Sequence, residues 1–315
     1  MVNYGGLKNA YVLIGKETTY GTPVACTKDI GIVTGTTTAG TNEIIKSRGF
    51  SSRDLDQIQI GNFRFRLDFE GEYQNGRLIE YALGSVGHSG VADPYTHTFS
   101  LADTLPSFTV EVGLDETTDD VETYAGVKVN ELTIALSLGG VVTIRASGLA
   151  KTVATSTIAS TAITDNLPTM GYGLASLTVG ADTIAQPRAF EWTITHNLSS
   201  IDKFGSFLPD NYLEEGRDYT SRLTMAFTDI KERSRFLTGT NTGTAPATAD
   251  FDGFTTVLNV VNAAITRQIQ ITMTDCHYTE CSRPIAVAGL IVQDFTVEHR
   301  TVSIVTKDDI PSASW

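Results

Sequence analysis

The sequence predicts a mainly β protein made of two similar halves, each with one short helix. Strand-type alternation dominates: over residues 58–72, aromatic or aliphatic side chains at every second position alternate with charged or polar ones, which is typical of a half-buried strand. The same alternation recurs along the chain. It occupies residues 107–112, 127–138, 141–147, 190–195, 220–227, 265–274, 290–299 and 302–306.

Helix patterns are few and short. Apolar residues spaced for one helix face lie within residues 78–83, and Gly84 follows as a helix-ending glycine. Asp229 and Glu232 have the spacing of a capping box, which predicts a second helix that ends at Gly239. Each helix directly follows a strand, so the two halves share this arrangement.

A repeated segment predicts a duplicated domain. Residues 126–134 match residues 289–297 at an offset of 163, and the strands before and after them match at offsets of 158 and 160. In both segments the apolar positions change phase, in the first between Val129 and Leu132, which predicts a β-bulge or a change of sheet. The alternative is two unrelated β stretches with generic alternation.

The domain boundaries follow from the repeat and from composition. The first domain, with an N-terminal arm, is predicted at residues 1–150 and the second at residues 187–315. Residues 151–186 are rich in Ser, Thr, Ala and Gly, which is typical of a linker. Two further Thr- and Gly-rich segments, 34–41 and 238–250, are predicted as loops.

Composition argues against several classes of protein. The 315 residues include 23 Lys and Arg and 36 Asp and Glu, a formal net charge of −13, so tight binding of nucleic-acid phosphates is not expected. No apolar run approaches the roughly 18 residues of a membrane-spanning helix, so no membrane partner is expected. Three cysteines are too few for a disulfide framework, and no signal-peptide core stands near the start, which predicts folding in a cytoplasm.

The sequence lacks the common motifs of enzymes. It contains no Walker loop, no dinucleotide-binding glycine pattern and no Gly-x-Ser-x-Gly elbow, and its five histidines are scattered. We therefore predict no catalytic residues and no cofactor. Residues 275–281 hold two cysteines, a histidine and two acids, but a structural zinc site usually needs two Cys/His pairs, so reduced cysteines are favoured. The acidic residues 115–122 lack the EF-hand spacing; they form a solvated loop, a surface facing a lumen or neighbour, or a calcium site.

A Gly-x-Glu-x-x-x-Gly-Thr motif occupies residues 15–22. It resembles the beginning of tail tube proteins of tailed phages and related viruses. The order of later elements is also similar, notably residues 105–112 and 124–132, so the resemblance spans most of residues 10–150 and continues in a second copy from about residue 187. The resemblance points to an assembly arm with the candidate residues Gly15, Glu17, Tyr20, Gly21, Thr22 and Pro23.

The resemblance implies two tandem β-sandwich or half-barrel tail-tube domains, each with a short flanking α-helix. It implies that sheets of neighbouring copies join into a barrel around a channel, and that rings stack into a tube for viral DNA. A duplicated domain implies homotrimeric rings with pseudo-sixfold symmetry. The implied partners are further copies of the chain, the tape-measure protein and the tail terminator and baseplate proteins. The implied location is the virion tail, assembled in the host cytoplasm.

An acidic balance suits a channel that DNA passes without binding, because carboxylates repel phosphates. The candidate lumen-facing residues are Asp68, Glu70, Glu111, Asp115, Glu131 and Asp294. Arg64 and Arg66 share a strand face with the first two, so that strand is the weakest candidate. The alternative places these carboxylates outside and lines the lumen with Thr, Ser and Asn.

Two other functions remain open at this stage. A virion decoration, sheath or adhesin-like β-sandwich protein would bind a capsid component or a carbohydrate, and an exposed aromatic platform would favour it. Trp192 lies within a strand alternation, so no such platform is evident. A β-sandwich enzyme such as a glycoside hydrolase would need two carboxylates facing each other across a cleft.

Overall fold

The computed structural model describes residues 10–50, 53–114, 120–156, 160, 167–285, 289–312 and 315. It confirms a mainly β protein with antiparallel sheets. The strands are β1 (Ala10–Lys16), β2 (Ile32–Ser47), β3 (Gln57–Glu72), β4 (Gly84–Ser89), β5 (Tyr95–Leu101), β6 (Phe108–Leu114), β7 (Asp120–Ser137), β8 (Thr143–Ala150), β9 (Thr152–Ser156), β10 (Ala175–Val179), β11 (Asp182–Thr183), β12 (Pro187–Thr195), β13 (Ser199–Ile201), β14 (Asn211–Leu213), β15 (Asp218–Ala226), β16 (Phe254–Asn262), β17 (Arg267–Ser282) and β18 (Val292–Asp308). The helices are α1 (Arg77–Leu83) and α2 (Lys231–Thr238), with one 3-10 turn at Tyr172–Leu174.

Both predicted helices are present and end at the predicted glycines. Gly84 and Gly239 have φ angles of 96° and 75°, in the left-handed region that glycine adopts without a steric penalty. Each donates its N–H to the carbonyl four residues earlier, which closes the last helical turn. Within the described residues, no helix is long and apolar enough to cross a membrane.

The predicted capping box of α2 is half right. Asp229 Oδ1 accepts the N–H of Lys231 at 2.9 Å, but Glu232 makes no bond to the helix start. Its carboxylate accepts bonds from Arg235 and Tyr278 instead. Glu232 therefore binds Tyr278 of β17 and does not cap the helix that contains it.

One long sheet runs through both halves of the chain. Its strands lie in the order β11, β10, β16, β17, β18, β15, β12, β7, β8, β3 and β2. The halves meet where β12 pairs with the C-terminal part of β7, and again where β5 pairs with the end of β18. A single buried hydrophobic cluster continues across both halves, so the described residues share one core.

The two halves have the same strand order. The first half reads β1, β6, β7, β8, β3, β2, and the second reads β10, β16, β17, β18, β15, β12. Register shifts fall at matching places: after Val129 in β7 and Tyr278 in β17, which are 149 residues apart, and after Val33 in β2 and Pro187 in β12, which are 154 apart. The assignment of two tandem domains stays a prediction, which this shared order supports.

The sequence match between residues 126–134 and 289–297 joined two strands that do not hold the same place in the two halves. Residues 126–134 lie in β7 and residues 292–297 in β18, whereas the strand at the position of β7 in the second half is β17. The bulge predicted after Val129 is present. The one predicted within 290–297 is wrong, because Gln293 is buried beside Phe295 and keeps the alternation unbroken.

Two predicted irregular segments contain strands. The predicted linker 151–186 includes β9, which pairs with β7, and β10, which pairs with β16; residues 157–159 and 161–166 of it lie outside the described residues. The predicted loop 34–41 is part of β2. Its Thr- and Gly-rich composition has little to bury, but pairing with β3 supplies the backbone hydrogen bonds of a strand.

Candidate assembly surface and lumen face

The long sheet is one-sided. Residues directly opposite each other on neighbouring strands point to the same side of a sheet, so the pairs can be followed from strand to strand. Trp192, Ile134 and Ile144 form one such row on the buried side. The adjacent row, on the other side, contains Thr193 and Thr133, whose hydroxyls lie 2.9 Å apart.

We call the solvent-facing side of β17, β18, β15, β12, β7, β8, β3 and β2 the polar face. Carboxylates outnumber cations on it. The carboxylates include Asp68, Glu70, Glu72, Glu131, Glu191, Asp218, Asp275, Glu280, Asp294 and Glu298, and the cations include Arg64, Arg66, Arg145, Arg222, Arg300 and Lys307. The face is continuous across both halves, because β12 and β7 join them in register.

The structure brings three of the predicted lumen-facing residues together. Asp68 and Glu131 flank Ser147 in one cross-strand row, and Glu70 lies in the next row beside Arg145. Asp294 stands on the same polar face in the second half, where it accepts a hydrogen bond from Thr224 Oγ1 at 2.7 Å. Whether these residues face a lumen stays a prediction.

Two of the predicted carboxylates are neutralised locally. Arg66 Nε lies 2.9 Å from Asp68 Oδ1, and Arg145 NH2 lies 2.8 Å from Glu70 Oε1. No cation of the described residues forms an ion pair with Glu131. The negative charge of the polar face therefore rests on residues such as Glu131 and Asp294 more than on β3.

The other two predicted carboxylates are not seen on this face. Glu111 belongs to β6, where it is half-buried and accepts bonds from Tyr11 Oη at 2.6 Å and from Ser160 N at 3.1 Å. Asp115 lies outside the described residues. The sequence analysis also missed several acids on the face, among them Glu280. Glu280 follows the β17 bulge in the same way as Glu131 follows the β7 bulge. This matching position is the signal that could have identified Glu280.

The predicted assembly arm is folded back on its own chain. Glu17 is buried and its carboxylate accepts bonds from Ser107 Oγ, Thr109 Oγ1 and Gly126 N at 2.7, 2.9 and 2.8 Å. A fourth bond comes from Gly21 N at 2.9 Å. This carboxylate links the end of β1 to β6 and, at Gly126, to β7. We therefore call Glu17 the fold anchor of the motif.

Close packing explains the motif glycines in the same way. A Cβ on Gly15 would lie 2.6 Å from the carbonyl oxygen of Ala25, and Gly21 has a φ of 71° with the Lys151 side chain against it. The Tyr20 ring lies 5.1 Å from the ammonium of Lys151, and burial raises the pKa of its hydroxyl.

The last two arm candidates, Thr22 and Pro23, are exposed. A role of this segment in assembly stays a prediction.

Within the described residues, the polar face has an unpaired edge at each of its two ends. β2 pairs with β3 on one side and with no described strand on the other. β17 pairs with β18 along its length, but β16 covers its other side only as far as Cys276. Unpaired edges invite pairing with another chain, so both are candidate assembly surfaces.

The cysteine-containing segment 275–281 shows no metal site. Cys276 is buried and the neighbouring His277 points to the solvent side, as alternation on a strand requires. Burial raises the pKa of the Cys276 thiol to about 11. Among the described residues, no three His, Cys, Asp or Glu side chains are grouped to hold a metal ion.

A mainly β chain with antiparallel sheets agrees with the β-sandwich fold that the resemblance implied. The family model of the phage tail tube protein matches residues 8–297. The chain belongs to the phage tail tube protein family. Among curated proteins, no sequence matches it. Membership makes it a structural protein of a virion tail.

Proposed function

We propose that copies of this chain assemble into rings, that the rings stack into the tail tube, and that viral DNA passes through the tube to the host during ejection. The observation that carries this is the polar face: one continuous sheet surface shared by both halves, with a buried core behind it. Curved around an axis, this face becomes the wall of a channel.

We further propose two tandem tail-tube domains per chain and three chains per ring. The shared strand order and the matching register shifts support the duplication. If each half contributes one unit, three chains supply the six units of a pseudo-sixfold ring. Assembly in the host cytoplasm, with tape-measure, terminator and baseplate proteins as neighbours, belongs to the same proposal.

The acidic excess of the polar face supports passage of DNA without binding. Glu131 and Glu280 stand at matching positions of the two halves, so a trimeric ring would carry them as one circle of carboxylates. Like charges a few Å apart repel by about 1 kcal/mol in water, and by more beside a low-dielectric wall.

Electron microscopy of the purified protein tests the assembly. The expected images are rings or tubes with a central hole, and end views with threefold symmetry at the resolution where the two halves differ. Uniform monomers, or closed particles without a channel, would contradict the tube. True sixfold symmetry with six chains would contradict the trimer alone.

Charge reversal tests the channel. Tubes of the Glu131→Lys/Glu280→Lys variant should retain short duplex DNA in a salt-dependent way, whereas wild-type tubes should not. The Glu131→Gln/Glu280→Gln variant controls for loss of the carboxylates without added positive charge. Retention of DNA by wild-type tubes at the level of the Lys variant would reject the proposed passage mechanism.

A further inference from the structure

The junction between the halves shows how one chain can meet the next. β12 pairs with β7 in an antiparallel register that places Thr195 opposite Glu131 and Thr193 opposite Thr133. The pairing lies on the side of β7 that carries β6, directly after β6 ends. At the matching place in the second half, the side of β17 that carries β16 is unpaired after Cys276.

The strand that would fill this place is present in the first half. β2 holds the position of β12: β12 has β15 on one side and β7 on the other, whereas β2 has β3 on one side and an unpaired edge on the other. Almost every residue of β2 is exposed, and so are Glu280 and Ser282 at the end of β17. Each chain therefore carries both members of a junction that it cannot form with itself.

We propose that the free edge of β2 pairs with the end of β17 in a second copy of this chain, in the register of the β12–β7 junction. The shifts of 154 and 149 residues between the halves give the pairs. Residue 39 stands opposite residue 282, residue 40 opposite residue 281, and residue 41 opposite residue 280. The inference rests on the proposed ring assembly and names the surface that closes the ring.

The chemistry of these segments suits edge-to-edge pairing. Ala39, Gly40 and Thr41 are small, so a neighbouring backbone can approach closely. The pair Ala39 and Ser282 takes the place of Thr193 and Thr133, whose hydroxyls touch within the chain. Repeating one junction head to tail generates a ring when the rotation closes, and it removes every exposed edge of the wall.

Disulfide trapping tests the register. In a Cys281→Ser background, the variant Ala39→Cys/Ser282→Cys places two thiols directly opposite each other across the proposed junction, within the reach of a disulfide. Cys26 and Cys276 are buried. Mild oxidation should give covalent dimers and trimers between chains, at a yield at least about tenfold above that of the slipped pair Ala39→Cys/Glu280→Cys, whose Cα atoms stand about 7–8 Å apart on the diagonal.

The same samples are imaged before oxidation, which separates the two proposals. Rings with efficient trapping of the matched pair support both. Rings in which the slipped pair reacts as well as the matched pair, or in which neither reacts, overturn the β2–β17 register and leave the ring assembly standing. Absence of both rings and trapping overturns the ring assembly and this inference with it.

Discussion

β2 and β12 hold the same position in the two halves of the chain, but their surroundings differ. β12 lies between β15 and β7, and Phe190, Trp192 and Ile194 on its inner side are buried. β2 lies beside β3 alone, and Thr38 and Gly40 stand where Trp192 and Ile194 stand in β12. The chain therefore forms one complete junction, between β12 and β7. It leaves one strand of a second junction at each end of the polar face, namely β2 and the end of β17.

Removing the largest side chain at the complete junction should have the greatest effect. Trp192 is fully buried, and its Nε1 donates to His299 Nε2 at 3.1 Å. The change Trp192→Ala leaves a cavity and should lower the free energy of unfolding of the free subunit by about 3–5 kcal/mol. The matched change Thr38→Ala should stay within about 1 kcal/mol. Chemical denaturation of both variants checks this, and equal losses would contradict the difference in burial between the two positions.

The fold anchor in the first half should be more costly to remove than its counterpart in the second. Glu17→Ala leaves Ser107, Thr109 and two backbone N–H groups without their acceptor, and should cost about 2–3 kcal/mol.

The registers of β1 with β6 and of β10 with β16 place Asp182 in the second half where Glu17 stands in the first. Its partly exposed carboxylate accepts bonds from Lys231, Arg235 and Asn241. Arg235 keeps Glu232 as a second partner, so Asp182→Ala should cost about 1 kcal/mol, less than Glu17→Ala. Denaturation of the two variants side by side is the measurement. A larger loss for Asp182→Ala would contradict the anchor role of the first motif.

His299, in the second half, should contribute part of the protein's acid sensitivity. Burial lowers the pKa of His299 to about 4 from an ordinary 6.5, and protonating Nε2 would turn the acceptor of the Trp192 bond into a donor. At the matching place in the first half stands Ala150, which does not titrate.

The direction of this pH effect on stability follows from proton uptake by His299. The unfolded chain binds a proton below about pH 6.5 and the folded chain only below about pH 4, so stability contributed by neutral His299 is present above pH 6.5 and is lost as the pH falls towards 4. Between pH 7 and pH 5 the loss should be about 1–2 kcal/mol. The change His299→Gln should remove that part of the pH dependence in denaturation curves; an unchanged pH dependence would contradict it.

The smallest effects are expected on the polar face. Glu70 pairs with Arg145 in the first half, and Thr224 with Asp294 takes their place in the second. All four are accessible, so Glu70→Gln and Asp294→Asn should each change the free energy of unfolding by less than about 1 kcal/mol. A loss of several kcal/mol from either change would show that the face is a stabilising network and not a solvated surface.

Local patterns in the sequence were sufficient for part of the elements. Alternation located β3, β6, β7, β8, β12, β15, β17 and β18 but not β1, β2, β4, β5, β10 or β16. The glycines at residues 84 and 239 located the helix ends, and the phase change after Val129 located a real bulge. These features depend on neighbours within a few residues, which is the range over which side-chain periodicity and backbone dihedral preferences act. The same reasoning put Asp68, Glu70 and Glu131 at polar positions of their strands, and the pairing of β3, β8 and β7 puts them on one side of the sheet.

Only the tertiary structure decided which strands correspond and which edges are free. The sequence match aligned β7 with β18, because generic alternation scores well against any strand, whereas strand order and register are set by contacts between residues that are often tens of positions apart. Segment 34–41 was predicted as a loop, since small polar residues carry no burial signal, and it is a strand because β3 pairs with it. The sequence by itself determined a mainly β chain with an acidic balance of charge. Long-range pairing determined that the two halves, as far as the structure describes them, form one sheet whose polar face is open at β2 and at the end of β17.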